Sequence, residues 1–181
     1  MRPATSTSSR SAFVLSGDSP AAAIRQAGGM TPRLLYRILA VAEAITWTLL
    51  IAGMVLKYAV GVGDWPVAVA GPIHGFVFIA YAITAALIGV NQRWRLPLIV
   101  LAVATAVVPY ATVPFDLWAD RTGRLDGRWR TTATDDPRDH TGFGRLFRWM
   151  LTHVAVLATS LAVLAVAIMA ALLVLGPPKL S

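Results

Sequence analysis

The sequence predicts an all-α polytopic membrane protein, a three-helix unit with a fourth transmembrane helix added. Three observations predict it. Of 181 residues, 56% are hydrophobic and only 14% charged, where a soluble domain carries about 25%. The mean hydropathy is +0.64. Finally, four apolar stretches near 34–58, 66–90, 96–118 and 151–175 are separated by segments that hold most of the arginines and the turn-forming residues. At 1.5 Å per residue, each is long enough for a hydrocarbon core of ~30 Å.

The same composition excludes several functions. There is no cysteine, so disulfides, thiolate metal sites and cysteine nucleophiles are out. The net charge of +7 comes from arginine far more than lysine. On a soluble domain it would suggest phosphate contacts to nucleic acid. Here the arginines flank apolar spans, so membrane topology and anionic headgroups account for them, and no nucleic-acid partner is expected. No serine nucleophile elbow, phosphate-binding glycine loop or HExxH occurs, so no enzyme is expected.

Residues 1–30 are rich in Ser, Thr, Ala, Pro and Gly without a period, which reads as a disordered tail. The apolar run 12–15 is too short for a signal peptide. The three-helix domain follows at 31–118. Its first span is preceded or opened by Arg33 and Arg37, with Tyr36 and Tyr58 marking its ends. Trp65 and Pro66 open the second, and 91–95 form a polar turn. The third span is interrupted by Pro109 and Pro114. Residues 119–148 are an Arg- and Asp-rich loop, with a short surface helix near 143–150. The fourth helix occupies 149–176, stopped by Gly176-Pro177-Pro178 and a short tail at 177–181.

Arginine placement pulls two ways on topology. The N-terminal arginines argue for a cytoplasmic start. Four full crossings then leave eight Lys and Arg on each side. If the third span dips in and returns at its prolines, the count becomes fourteen inside and two outside. Continuous helices are the commoner solution, so four crossings are expected, with 119–148 outside.

The candidate site is a pair of ionisable residues at membrane depth. Glu43 is the only glutamate, and no other charge falls between it and Lys57. His74 lies in Gly71-Pro72-Ile73-His74-Gly75 on the second span. Ionisable groups at such depth are costly and default to a functional hypothesis. Helical spacing puts Glu43, Thr46, Leu50, Gly53 and Lys57 on one face, and Gly71, His74, Gly75 and Phe78 on another. Thr105, Pro109, Thr112 and Asp116 align on the third span. By rise, Glu43 and His74 differ in height by only ~4–6 Å in an antiparallel hairpin, so they are expected to meet. Gly71 and Gly75 form a small-xxx-small pair for close helix approach. Lys57 and Asp116 both fall near the outer boundary, which permits a second ion pair there.

These residues carry a resemblance. Ala42-Glu43-Ala44, Leu56-Lys57-Tyr58, Gly71-Pro72-Ile73-His74-Gly75, Val108-Pro109 and Phe115-Asp116 resemble a family of small bacterial integral membrane proteins with a His-Gly signature, domain of unknown function 3817. The resemblance covers about 33–118 and implies a bacterial inner-membrane protein without supplying an activity.

Two readings of the pair follow. In the first, Glu43 and His74 fix helix register in a non-enzymatic structural or accessory protein. In the second, they handle protons or substrate in a small oligomeric transporter or proton-conducting subunit. Thr46, Lys57, Gly71, Gly75, Pro109, Tyr110 and Asp116 are the supporting residues in either case. No cofactor or metal site is expected. His74 and His153 sit at ill-matched depths for haem, and His140 with Asp135, Asp136 and Asp139 reads as a solvated loop cluster. The expected partners are the lipid bilayer and either a second copy or another membrane protein.

Overall fold

The computed structural model describes residues 30–175; the expectations for the N-terminal tail and for 177–181 lie outside it. Among the described residues every regular element is helical. Helix α1 (Pro32–Val55) begins where Thr31 caps it, its Oγ1 accepting from the Leu34 amide at 3.1 Å, with Pro32 in the first turn. It runs on through a π-helical turn, Leu56–Val60, and stops at Gly61, whose φ of 77° is the left-handed conformation glycine tolerates. Helix α2 (Trp65–Asn91) returns antiparallel along α1.

These two helices are long and apolar enough to cross a membrane, with mean hydropathies of 2.0 and 2.1. The outward residues of α1 are apolar: Leu34, Ile38, Val41, Ile45 and Leu49 are all exposed at helical spacing. Its buried face carries Tyr36, Ala40, Glu43 and Thr46. That arrangement, apolar outside and polar within, suits lipid as the solvent.

The third apolar stretch is not one continuous helix but turns back on itself. Helix α3 (Leu96–Ala104) runs in along α2, and a 3₁₀ turn (Thr105–Val107) ends it. Val108 is extended, as the residue before a proline prefers, and Tyr110 takes a left-handed φ of 66°. Helix α4 (Thr112–Arg121) then runs back along α1. Three contacts record the return: Thr112 Oγ1 donates to the Ala40 carbonyl, Arg37 binds Asp116, and Arg33 binds Asp120. Both ends of the α3–α4 hairpin therefore lie at the Arg33 end of α1. The expectation of four crossings, with 119–148 opposite the N-terminal end of α1, is corrected on this point. The physical reason is local: Pro109 supplies no N–H, restricts Val108, and ends the helix.

Re-entrant backbone has to be shielded. Fully buried alanines at 102, 106 and 119 bring the hairpin close to Ala40, Tyr81 and Ala85 of the spanning helices. Small residues permit that approach. At the turn, Trp47 Nε1 donates to the Ala106 carbonyl at 3.1 Å.

The loop 119–148 is stapled to the end of α2. The buried Asn91 side chain donates to the Arg128 carbonyl and accepts from the Arg130 amide, while Arg130 binds the Val90 and Asn91 carbonyls. Helix α5 (Gly142–Thr152) is capped by Thr141. It exposes Phe143, Leu146 and Trp149 and meets α6 (Val154–Leu175) at a bend of 104°. The two together are the third candidate span; α6 itself packs on α2.

Candidate functional site

Glu43, Thr46 and His74 come together between α1 and α2. Glu43 is fully buried and His74 nearly so. His74 Nδ1 lies 3.8 Å from Glu43 Oε2, too long for a direct hydrogen bond. Thr46 bridges them. Its Oγ1 is 3.1 Å from His74 Nδ1, 3.0 Å from the Glu43 carbonyl and 3.5 Å from Glu43 Oε2. One hydroxyl carries one proton. With Nδ1–H donating to Thr46, the hydroxyl donates its own proton to Glu43, whose carbonyl oxygen at 3.0 Å lies closer than Oε2 at 3.5 Å. Glu43 Oε1 is buried without a hydrogen-bond partner among the described residues.

Trp47 closes the cluster. Its ring centroid stands 4.5 Å from that of His74, and its Nε1 is held by Ala106 at the hairpin turn. Phe78 packs on the far side of the imidazole at 6.2 Å. The sequence reading gave Trp47 no role. It is one residue past Thr46, and only a hairpin turning at this depth gives its indole a partner.

The other predicted residues separate into three places. Lys57 binds Asp64 at 3.0 Å in the turn between α1 and α2, not Asp116, because the third stretch never reaches that end. Asp116 instead binds Arg37 at 2.9 Å. Pro109 and Tyr110 form the tip of the hairpin, with Tyr110 Oη 3.4 Å from Thr48 Oγ1. A Cβ on Gly71 would meet open space, and one on Gly75 would meet Met169 of α6 at 3.1 Å. The close approach of α1 to α2 is at Gly53, where a Cβ would lie 3.2 Å from the Pro66 backbone.

A second cluster was not read from the sequence. Asp120 accepts one hydrogen bond from Arg33 at 2.7 Å and one from Arg37 at 2.6 Å, and Arg33 Nε adds an ion-pair contact at 2.6 Å. Beneath it, Tyr36 and Tyr81 share a 2.7 Å bond, and Tyr81 reaches Thr105 at 3.0 Å. Tyr36 is thus a core residue rather than an interfacial marker. The signal was present: arginines at 33 and 37 and aspartates at 116 and 120 are each four apart, which matches them on antiparallel helices.

In the loop, Asp139 is buried rather than solvated. It accepts from the Thr134 hydroxyl and amide and pairs with Arg93 and Arg130. The Thr134 hydroxyl bond first, then its amide and the two guanidiniums, hold the carboxyl well below the usual carboxylate range. Among the described residues no three His, Asp or Glu side chains gather as a metal site.

The fold and its inverted polarity define an all-α membrane protein. Residues 34–121 match the family described as Domain of unknown function (DUF3817). The chain is also 41% identical over 113 residues to a Streptomyces coelicolor protein named only as a candidate membrane protein. That match takes in 61% of this chain but 13% of the relative's length. No solved structure matches the chain.

Proposed function

We propose that this is a non-enzymatic structural or accessory component of a bacterial inner membrane, with its N-terminus cytoplasmic. In this reading the Glu43–Thr46–His74 cluster is the buried polar lock between α1 and α2. The observation that carries it is the burial of Glu43. Its carboxyl is wholly enclosed and linked through Thr46. A carrier needs its titrating pair within reach of water; a lock needs it dry. The test is native purification from membranes with identification of what co-purifies. A stable protein partner, lost when the outer faces of α1 or α6 are altered, supports the accessory role. Reconstituted vesicles that dissipate an imposed proton gradient through the wild-type chain, and not through Glu43→Gln, overturn it.

One observation favours the second reading, a small oligomeric transporter or proton-conducting subunit. Glu43 Oε1 has no hydrogen-bond partner among the described residues, and burying such an atom is costly. Protonation of the carboxyl lowers that cost, so a carboxyl of this kind is suited to hold and release a proton. The same vesicle experiment decides between the two.

A further inference from the structure

Away from Glu43, a cavity of about 290 Å³ opens where the end of α2, the start of α3 and the first turns of α5 converge. Its volume is close to the lower limit of small-molecule sites, about 300 Å³. Its lining is divided. Arg93, Arg130 and Arg148 line it together with the Asp139 carboxylate, and Ile99, Phe143 and Phe147 supply apolar surface.

We propose that this cavity binds the phosphate headgroup of an anionic glycerophospholipid from the surrounding leaflet, the glycerol and first methylenes lying on its apolar side.

The charge balance permits an anion. Arg93 binds Asp136 and Asp139, and Arg130 binds Asp139 at 3.3 Å. Arg148 Nη1 stands 3.6 Å from Asp139, beyond a normal hydrogen bond. Among the described residues these three guanidiniums face two carboxylates, Asp136 and Asp139. Donors also remain unused: Arg93 Nε and Arg148 Nη1 are buried with no hydrogen-bond partner among the described residues. A phosphate oxygen satisfies such donors with charge-assisted bonds, and guanidinium geometry suits it. The N-terminus of the eleven-residue α5 lines the same space and adds a dipole favourable to negative charge.

Location selects the source of the anion. α5 exposes Phe143, Leu146 and Trp149 beside the cavity, the dressing of a helix lying in the interfacial plane. A basic pocket between helices at that level is where lipid headgroups bind. The apolar lining residues Ile99, Phe143 and Phe147 offer nothing to a free inorganic anion but suit the glycerol and first methylenes of a lipid.

The test uses the full chain, delipidated in a mild neutral detergent. Thermal unfolding is followed with added dioleoylphosphatidylglycerol, dioleoylphosphatidylcholine or inorganic phosphate. Phosphatidylglycerol is expected to raise the midpoint in a saturable way, with the other two much weaker. Arg148→Gln, the arginine with the fewest structural bonds, is expected to weaken the phosphatidylglycerol effect about tenfold, the scale of one charge-assisted bond. Equal effects of the two lipids overturn the proposal. So does inorganic phosphate matching phosphatidylglycerol, which makes the cavity a site for soluble anions. If Arg148→Gln fails to accumulate, the wild-type comparison of the three additives decides alone.

Discussion

At the scale of single residues, the cost of Glu43 sets the terms. A carboxyl wholly enclosed between two apolar helices persists only where its neighbours share hydrogen bonds with it. Thr46, one turn along the same helix, reaches Glu43 Oε2 at 3.5 Å and stands 3.1 Å from His74 Nδ1. Glu43→Ala and His74→Ala are each expected to destabilise the protein by about 1–3 kcal/mol, because each strands the other's polar atoms. The double variant should lose clearly less than the sum, and Thr46→Val should remove most of that coupling. Thermal unfolding of the four-member cycle in lipid measures it, and plain additivity means the pair is not coupled. These members were legible from charge and helical spacing alone. Trp47 was not, because its role depends on a chain segment 59 residues away. Asp139 carries a different prediction. Its carboxyl is depressed by Thr134 and the arginines, so folding releases its proton more readily than the unfolded chain does. The stabilisation is complete above the ordinary aspartate value, about 3.9, and fades as pH falls below it. Limited proteolysis of the 119–148 loop should therefore accelerate on acidification below about pH 4, and Asp139→Asn should remove that acid dependence.

At the scale of elements, the glycines separate two helix contacts that spacing alone merges. Gly71 and Gly75 have the small-xxx-small pattern, yet the tight α1–α2 contact is built at Gly53 against the Pro66 backbone. Backbone cannot move aside as a side chain can. Gly53→Leu is expected to cost about 1–3 kcal/mol through overpacking. Gly75→Leu meets only the flexible end of Met169, so its cost should be smaller and confined to the seating of α6. Comparing the two unfolding midpoints, and crosslinking between α2 and α6, tests this. A Gly75→Leu variant as damaging as Gly53→Leu would sink it. The helices themselves were readable because length and hydropathy fix them. The hairpin was not readable with the same certainty. Pro109 and Pro114 allow either a kinked crossing or a turn, and the Arg–Asp pairings that decide between them are long-range.

At the scale of the whole molecule, the α3–α4 hairpin settles where the charge goes. Arg33 and Arg37 at the start of α1 bind Asp116 and Asp120 at the end of α4. Arg93 and Arg130 tie the loop to the end of α2. Residues 95 and 132 therefore share one side, and Val62, in the turn between α1 and α2, belongs to the other. Among the described residues, eleven Lys and Arg fall at the Arg33 end of α1 and one, Lys57, at the opposite end. By the positive-inside rule the arginine side is the one expected to be cytoplasmic. The chain holds no cysteine, so single cysteines can report each side without background. In intact cells a membrane-impermeant maleimide should label Val62→Cys and leave Arg95→Cys and Thr132→Cys unlabelled until the membrane is opened. All three positions are exposed, so a lack of labelling reports the side rather than burial. Labelling of Thr132→Cys together with Val62→Cys, and not Arg95→Cys, would mean that 96–118 crosses after all. Labelling of Arg95→Cys and Thr132→Cys without Val62→Cys would keep the hairpin but invert the whole molecule.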